Sequence, residues 1–251
     1  MSDTAVSPGA SARAVGTVPA TGWYGKVPAL GDFVSRRCPA SFRDPWDAWL
    51  AQGMLVGERA HGDDWATAFL SFPMWRFLWF DGASRTPWAG VLSPGADRVG
   101  RLFPLTIVRP LCTDDAPCPS IEALDRWMDG LEASVLALLA DDDVDAFDRA
   151  VAAADPLAAT DAVAAAGPCA APDALPALAL PAAGMRGPFA VAIEGVAPGR
   201  LAQAIALHAL ATAGRPVAWF WRHDAAGAAR VRMHGGAPDA ATFVALVQAD
   251  R

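Results

Sequence analysis

Asp97-Arg98-Val99-Gly100-Arg101-Leu102-Phe103-Pro104-Leu105-Thr106-Ile107-Val108 sets one acid and two arginines around a glycine and runs straight into an apolar strand. Charges at the mouth of a core strand must be paired, because an unpaired buried ion costs several kcal/mol. The segment therefore either staples the fold or presents a charged site where a strand enters the core. Pro104 lies inside the apolar run and cannot donate to a ladder. The pattern thus predicts a strand over 102–108 with a bulge or an edge at the proline.

Working outward, residues 65–108 read as strands. Phe69-Leu70-Ser71-Phe72 leads to Pro73, 75–80 ends at an Asp81-Gly82 turn, and 88–92 ends at Ser93-Pro94-Gly95. Upstream, 22–27 is a short strand with glycine punctuation, followed by a turn over 28–31 and by Asp32-Phe33-Val34. The first helix is expected to start with Asp44 as N-cap and Pro45 at the first helical position. Its apolar face is Trp46, Trp49, Leu50 and Met54, and Gly53 and Gly57 on the same stripe are expected to admit another backbone.

Downstream, Ser120 caps a run whose apolar positions are Leu124, Trp127, Met128, Leu131, Val135, Leu138 and Leu139, a stripe at helical spacing. Asp141-Asp142-Asp143 breaks that helix and favours the start of a second one through Val151. An α/β rhythm resumes with a strand at 189–193, a helix over 200–213 stopped by Gly214, and a strand at 216–221. A turn at 225–227 leads to a strand at 230–233, and a last helix spans 239–248. Trp219-Phe220-Trp221 puts aromatics on both faces of one strand, which requires cover on both sides or an exposed patch. Together these elements predict a layered α/β sandwich with a mixed central sheet flanked by helices. Residues 1–20 read as a flexible leader and 21–251 as one domain, with an Ala/Pro-rich insertion around 155–187.

Composition narrows the function classes. Asp and Glu number 27 against 20 Lys and Arg, a formal charge of −7, which argues against a nucleic-acid footprint. Ten Trp and eleven Phe supply ample core. Lys26 is the only lysine, as a GC-rich coding bias would give. Cys38, Cys112, Cys118 and Cys169 form no C-x-x-C pair, and His61, His208, His223 and His234 do not join them at zinc spacing. Reduced thiols, no apolar leader and no run long enough to span a bilayer predict a cytoplasmic protein without membrane insertion.

Chemical motifs fail one by one. Gly25-Lys26 lacks the earlier glycine and the following Ser or Thr of a phosphate loop, since those positions are Ala20 and Val27. No G-x-S-x-G elbow is present, and Cys38 is followed by Pro39 in a turn, a poor nucleophile setting. Asp32 and Asp97 form the candidate pair for acid/base work or for a cation. Each also has arginines beside it, Arg36 and Arg37 or Arg98 and Arg101, so structural ion pairing is the competing reading.

Gly22-Trp23-Tyr24-Gly25-Lys26-Val27-Pro28-Ala29-Leu30-Gly31-Asp32-Phe33-Val34 and Pro45-Trp46-Asp47-Ala48-Trp49-Leu50 resemble the opening of the type VI secretion-associated TagF (ImpM-like) family. Pro73-Met74-Trp75-Arg76-Phe77 and the stretch from Gly90 to Thr106 resemble its middle motifs, and the tail around Trp219, Trp221 and 236–243 is similar but looser. The resemblance implies a layered α/β fold, no catalytic activity and no cofactor. It further implies a post-translational repressor of type VI secretion whose partner is a forkhead-associated scaffold protein. The interface candidates under this reading are Lys26, Asp32, Asp97, Arg98 and Arg101. The competing readings are a phosphoester hydrolase using Asp32 and Asp97, or a structural accessory of the secretion apparatus. The oligomeric state stays open.

Overall fold

The computed structural model describes residues 20–81, 87–111, 120–154, 187–193, 205, 216–223 and 228–248. Its strands are β1 (Gly22–Gly25), β2 (Val34–Arg36), β3 (Trp75–Phe80), β4 (Trp88–Ser93), β5 (Leu105–Pro110), β6 (Gly187–Ile193), β7 (Val217–His223) and β8 (Ala229–Gly235). They form one sheet in the order β2-β1-β5-β4-β3-β7-β8-β6. The helices are α1 (Ala40–His61), α2 (Trp65–Leu70), α3 (Ile121–Asp141), α4 (Val144–Ala153) and α5 (Ala240–Val247). The expected layered α/β sandwich is present. Every described ladder is antiparallel, so the central sheet is antiparallel where mixed strand directions were expected.

Alternation along each strand sorts the core into two layers. Trp23, Leu78, Phe80, Val91, Ile107, Trp219 and Trp221 face α3 and α4. Trp75, Phe77, Trp79, Leu92 and Phe220 face α1, α2 and α5. The aromatic triplet of β7 is therefore covered on both sides, as a strand inside a three-layer sandwich must be. Ser120 Oγ accepts the Ala123 amide at 3.2 Å, Asp143 Oδ1 accepts that of Ala146 at 2.8 Å, and Asp239 Oδ1 accepts that of Thr242 at 2.8 Å. These caps start α3, α4 and α5 where the sequence places them.

Several expectations are corrected. α1 begins a turn earlier than Asp44, with Pro39 as N-cap and Pro45 inside the helix. Phe42, fully buried against Trp46, Phe77, Trp79 and Trp88, supplies the packing that draws this extra turn into the helix. Residues 69 and 70 belong to α2, where Trp65, Ala68 and Phe69 bury together at helical spacing. A short apolar run does not distinguish strand from helix by periodicity. Pro104 neither bulges β5 nor puts it at an edge. The strand starts at the next residue and lies between β1 and β4, while Leu102 pairs separately with Ala96. Gly53 and Gly57 admit rings, not a backbone: a Cβ at either would fall within 2.5 Å of Phe243 or 2.2 Å of Trp65.

The leader over 1–19, the 82–86 and 225–227 turns, the 155–186 insertion and most of the 200–213 helix lie outside the described residues, as do Cys112, Cys118, Cys169 and His208. Among the described residues no helix is long and apolar enough to cross a membrane.

Candidate functional site

The opening stretch folds into a tight knuckle against the β1–β2 connection. Ala96 bridges Leu102, the Asp97 amide donates to the Arg101 carbonyl at 3.0 Å, and the Gly100 amide donates to the Asp97 carbonyl at 2.9 Å. Gly100 turns the chain at φ +82, a conformation that favours glycine. Gly95 lets the knuckle lie directly on the backbone just past β1: a Cβ there would stand 2.7 Å from the Lys26 carbonyl oxygen.

At the centre is the fully buried Asp97 side chain. Its Oδ1 accepts the amides of Val99 at 3.1 Å and Arg101 at 2.9 Å. Its Oδ2 takes Arg101 Nε at 2.7 Å and Lys26 Nζ at 3.1 Å. Burial opposes the charge of Asp97. The Arg101 amide, the Lys26 ammonium, the Arg101 guanidinium and the Val99 amide together outweigh it and hold the carboxyl well below the usual carboxylate range. Lys26 is itself buried and lies 4.9 Å from the centre of the Phe33 ring, a cation–π contact. Phe33 stacks on Tyr24 and meets Phe103 edge-on at 4.8 Å, yet remains 45% exposed.

The structure thus brings Lys26, Asp97 and Arg101 together. Arg98 shares the knuckle but not the cluster. Its amide donates to the Leu30 carbonyl at 2.9 Å and its side chain is exposed on the rim. Asp32 stays outside: it is exposed, and its Oδ1 accepts the neighbouring Phe33 amide at 2.8 Å. Among the described residues the ion pairs weighed for Asp32 with Arg36 and Arg37 do not form, and Arg37 turns away to Asp148 on α4 at 2.6 Å. Asp148 also accepts Trp23 Nε1 at 2.7 Å, and with the Arg37 guanidinium beside it its carboxyl is held low.

Sequence reasoning missed a second ionic centre. Arg76, buried in β3, takes Glu132 Oε1 at 2.8 Å, Asp125 Oδ1 at 3.5 Å and Asp129. Burial works against the guanidinium charge, and Glu132 and Asp129 outweigh it and hold the proton more tightly than usual. Burial pushes the Asp125 carboxyl up, and the like charges of Asp129, Glu122 and Glu132 push it further, against the pull of Arg76. The signal was present: one arginine in Trp75-Arg76-Phe77-Leu78-Trp79-Phe80, and acids at 125, 129 and 132, one helical face apart. Among the described residues no group of three or more His, Cys, Asp and Glu side chains converges as a metal-ligand set.

The model of the TagF N-terminal domain, described as type VI secretion system-associated, matches residues 22–154. Among solved structures the chain is similar to PA0076 from Pseudomonas aeruginosa PAO1, at 30% identity and a TM-score of 0.61, over 92% of this chain and 96% of that one. No curated protein matches it. The match to the TagF model takes in both loops of the knuckle and α3 and α4, and so both ionic centres.

Proposed function

The chain belongs to the type VI secretion-associated TagF family, and from that premise we propose that it is a cytoplasmic, non-enzymatic repressor of type VI secretion. It acts by binding a forkhead-associated scaffold protein of the apparatus, with the knuckle around Asp97 as the docking region. The observation that supports a binding role over a catalytic one is the state of Asp97. A carboxylate offers about four acceptor sites. Here the amides of Val99 and Arg101, the Arg101 guanidinium and the Lys26 ammonium use them all. An acid so engaged and held ionised is a clasp, poorly suited to taking and returning a proton. With Asp32 outside the cluster, hydrolysis by the two acids draws no support from this geometry.

The test is affinity capture of the cognate forkhead-associated scaffold by the tagged full chain, with secretion measured in a deletion strain. The scaffold is expected to co-purify and secretion to rise on deletion. No capture together with unchanged secretion would overturn the proposal. Stoichiometric retention in purified apparatus would instead identify a structural accessory.

A further inference from the structure

The knuckle carries a surplus of positive charge on a chain that is acidic as a whole. Two cations, Lys26 and Arg101, share the single Asp97 carboxylate, so one positive charge is left over at the centre. Arg98 adds another on the rim, where no described carboxylate pairs with it, and Arg101 is itself more than half exposed. The nearby exposed acid, Asp32, offsets only part of this. The formal charge of the whole chain is −7. Like-charged surfaces of an acidic molecule repel an acidic partner, so a basic knuckle is the place where such a partner can approach.

The same face carries two exposed apolar side chains. Val99, at the tip of the turn, is 68% exposed, and Phe33, on the loop pinned to it, keeps nearly half its surface in water. The loops that bear them are pinned together. The Arg98 amide donates to Leu30, and Arg101 Nη2 donates to the Gly31 carbonyl. Phe33 is held from below by Tyr24, Phe103 and the Lys26 ammonium. An exposed aromatic held in place on a loop pinned to one that bears two arginines has the composition of an interface centre, and its fixed loops lose little freedom on binding.

We infer that the Phe33–Arg98–Val99–Arg101 face of the knuckle docks an acidic protein segment whose carboxylates meet Arg98 and Arg101 while an apolar side chain covers Phe33 and Val99. The inference rests on the reading of this knuckle as a docking region and adds the chemistry of the partner. It does not depend on which component of the apparatus supplies the segment.

The experiment titrates the full chain against three labelled synthetic peptides by fluorescence polarisation: alternating Glu and Leu, alternating Gln and Leu, and alternating Lys and Leu. The Glu/Leu peptide is expected to bind, and the other two to bind at least about tenfold more weakly. Arg98→Glu and Val99→Asp are each expected to weaken the Glu/Leu complex by about tenfold, and added salt to weaken it further. Leu136→Ser, at an exposed apolar site on α3, is expected to change nothing. Thermal melting confirms that the exposed-site variants fold. Absence of Glu/Leu binding, equal binding of the Lys/Leu peptide, or an affinity indifferent to both knuckle variants would each overturn the inference. These arms use no scaffold. A flat titration removes the inference and leaves scaffold capture to be read, and a failed capture removes the proposed function and leaves the titration to be read.

Discussion

Two ionic centres of the described fold, around Asp97 and around Arg76, are opposites in stoichiometry. Near the mouth of β5 one carboxylate, Asp97, serves two cations, and both come from loop or strand-end positions. Between β3 and α3 one guanidinium, Arg76, serves three carboxylates presented by successive turns of a helix. The minority charge is buried in both, and it is the one whose ionised form the fold favours. Among the majority charges each centre has one buried member, Lys26 or Asp125, and one that reaches solvent: the Arg101 side chain is 58% exposed and that of Asp129 65%. The difference lies in what each holds. Arg76 staples a helix to the sheet, whereas Asp97 holds a loop in shape and leaves a positive rim on display.

The largest effect is expected on breaking the staple. Arg76→Met keeps much of the volume but leaves Asp125 and Glu132 against the sheet without their cation, while Asp129 stays largely in water, and a loss of about 3 kcal/mol in urea unfolding is expected. Asp97→Asn should lower the unfolding midpoint less, because the amide oxygen can still accept the Val99 and Arg101 amides and the exposed Arg101 can turn to water, leaving Lys26 as the one buried cation without its partner. Its signature is the pH dependence. The Asp97 carboxyl titrates below its unfolded value, so its contribution is complete above about pH 4 and fades as pH falls toward the folded value. The gap between wild type and Asp97→Asn should therefore be constant at higher pH and close in acid. Lys26→Arg tests the fit of the only lysine, since a broader guanidinium must enter a niche 7% exposed beneath Phe33. A cost of about 1–3 kcal/mol from overpacking is expected in the same assay.

Asp125→Asn is expected to give the smallest change, with the opposite sign. The folded chain raises this carboxyl above its unfolded value, so the cost in stability sets in as pH rises past the unfolded value and is complete above the folded one. The substitution should raise the midpoint at neutral pH and change nothing below about pH 4. A midpoint lowered by Asp125→Asn at neutral pH would mean that Asp125 is a working partner of Arg76 and not a crowded third.

The sequence made one of these centres legible and hid the other. Asp97 and Arg101 stand four residues apart around a glycine, so local spacing exposes their pairing. Lys26 is distant in the chain, and only the antiparallel neighbourhood of β1 and β5 brings it there. Arg76 was absorbed into a strand pattern because a single charge barely disturbs an aromatic run. The acids that answer it lie off the apolar stripe that marks the helix, and only β3 packed beneath them gives them a partner. The caps of α3, α4 and α5 were readable because capping is a contact within a few residues. The start of α1 and the helical state of 65–70 were not, since the burial of Phe42 and Phe69 against other elements decides them.

The most direct test sets Arg98→Glu against Asp97→Asn in the same two measurements, the unfolding midpoint and capture of the forkhead-associated scaffold. The account predicts that Arg98→Glu melts with the wild type and loses capture, while Asp97→Asn loses stability first. An Arg98→Glu protein that is folded and captures the scaffold as well as the wild type would contradict it.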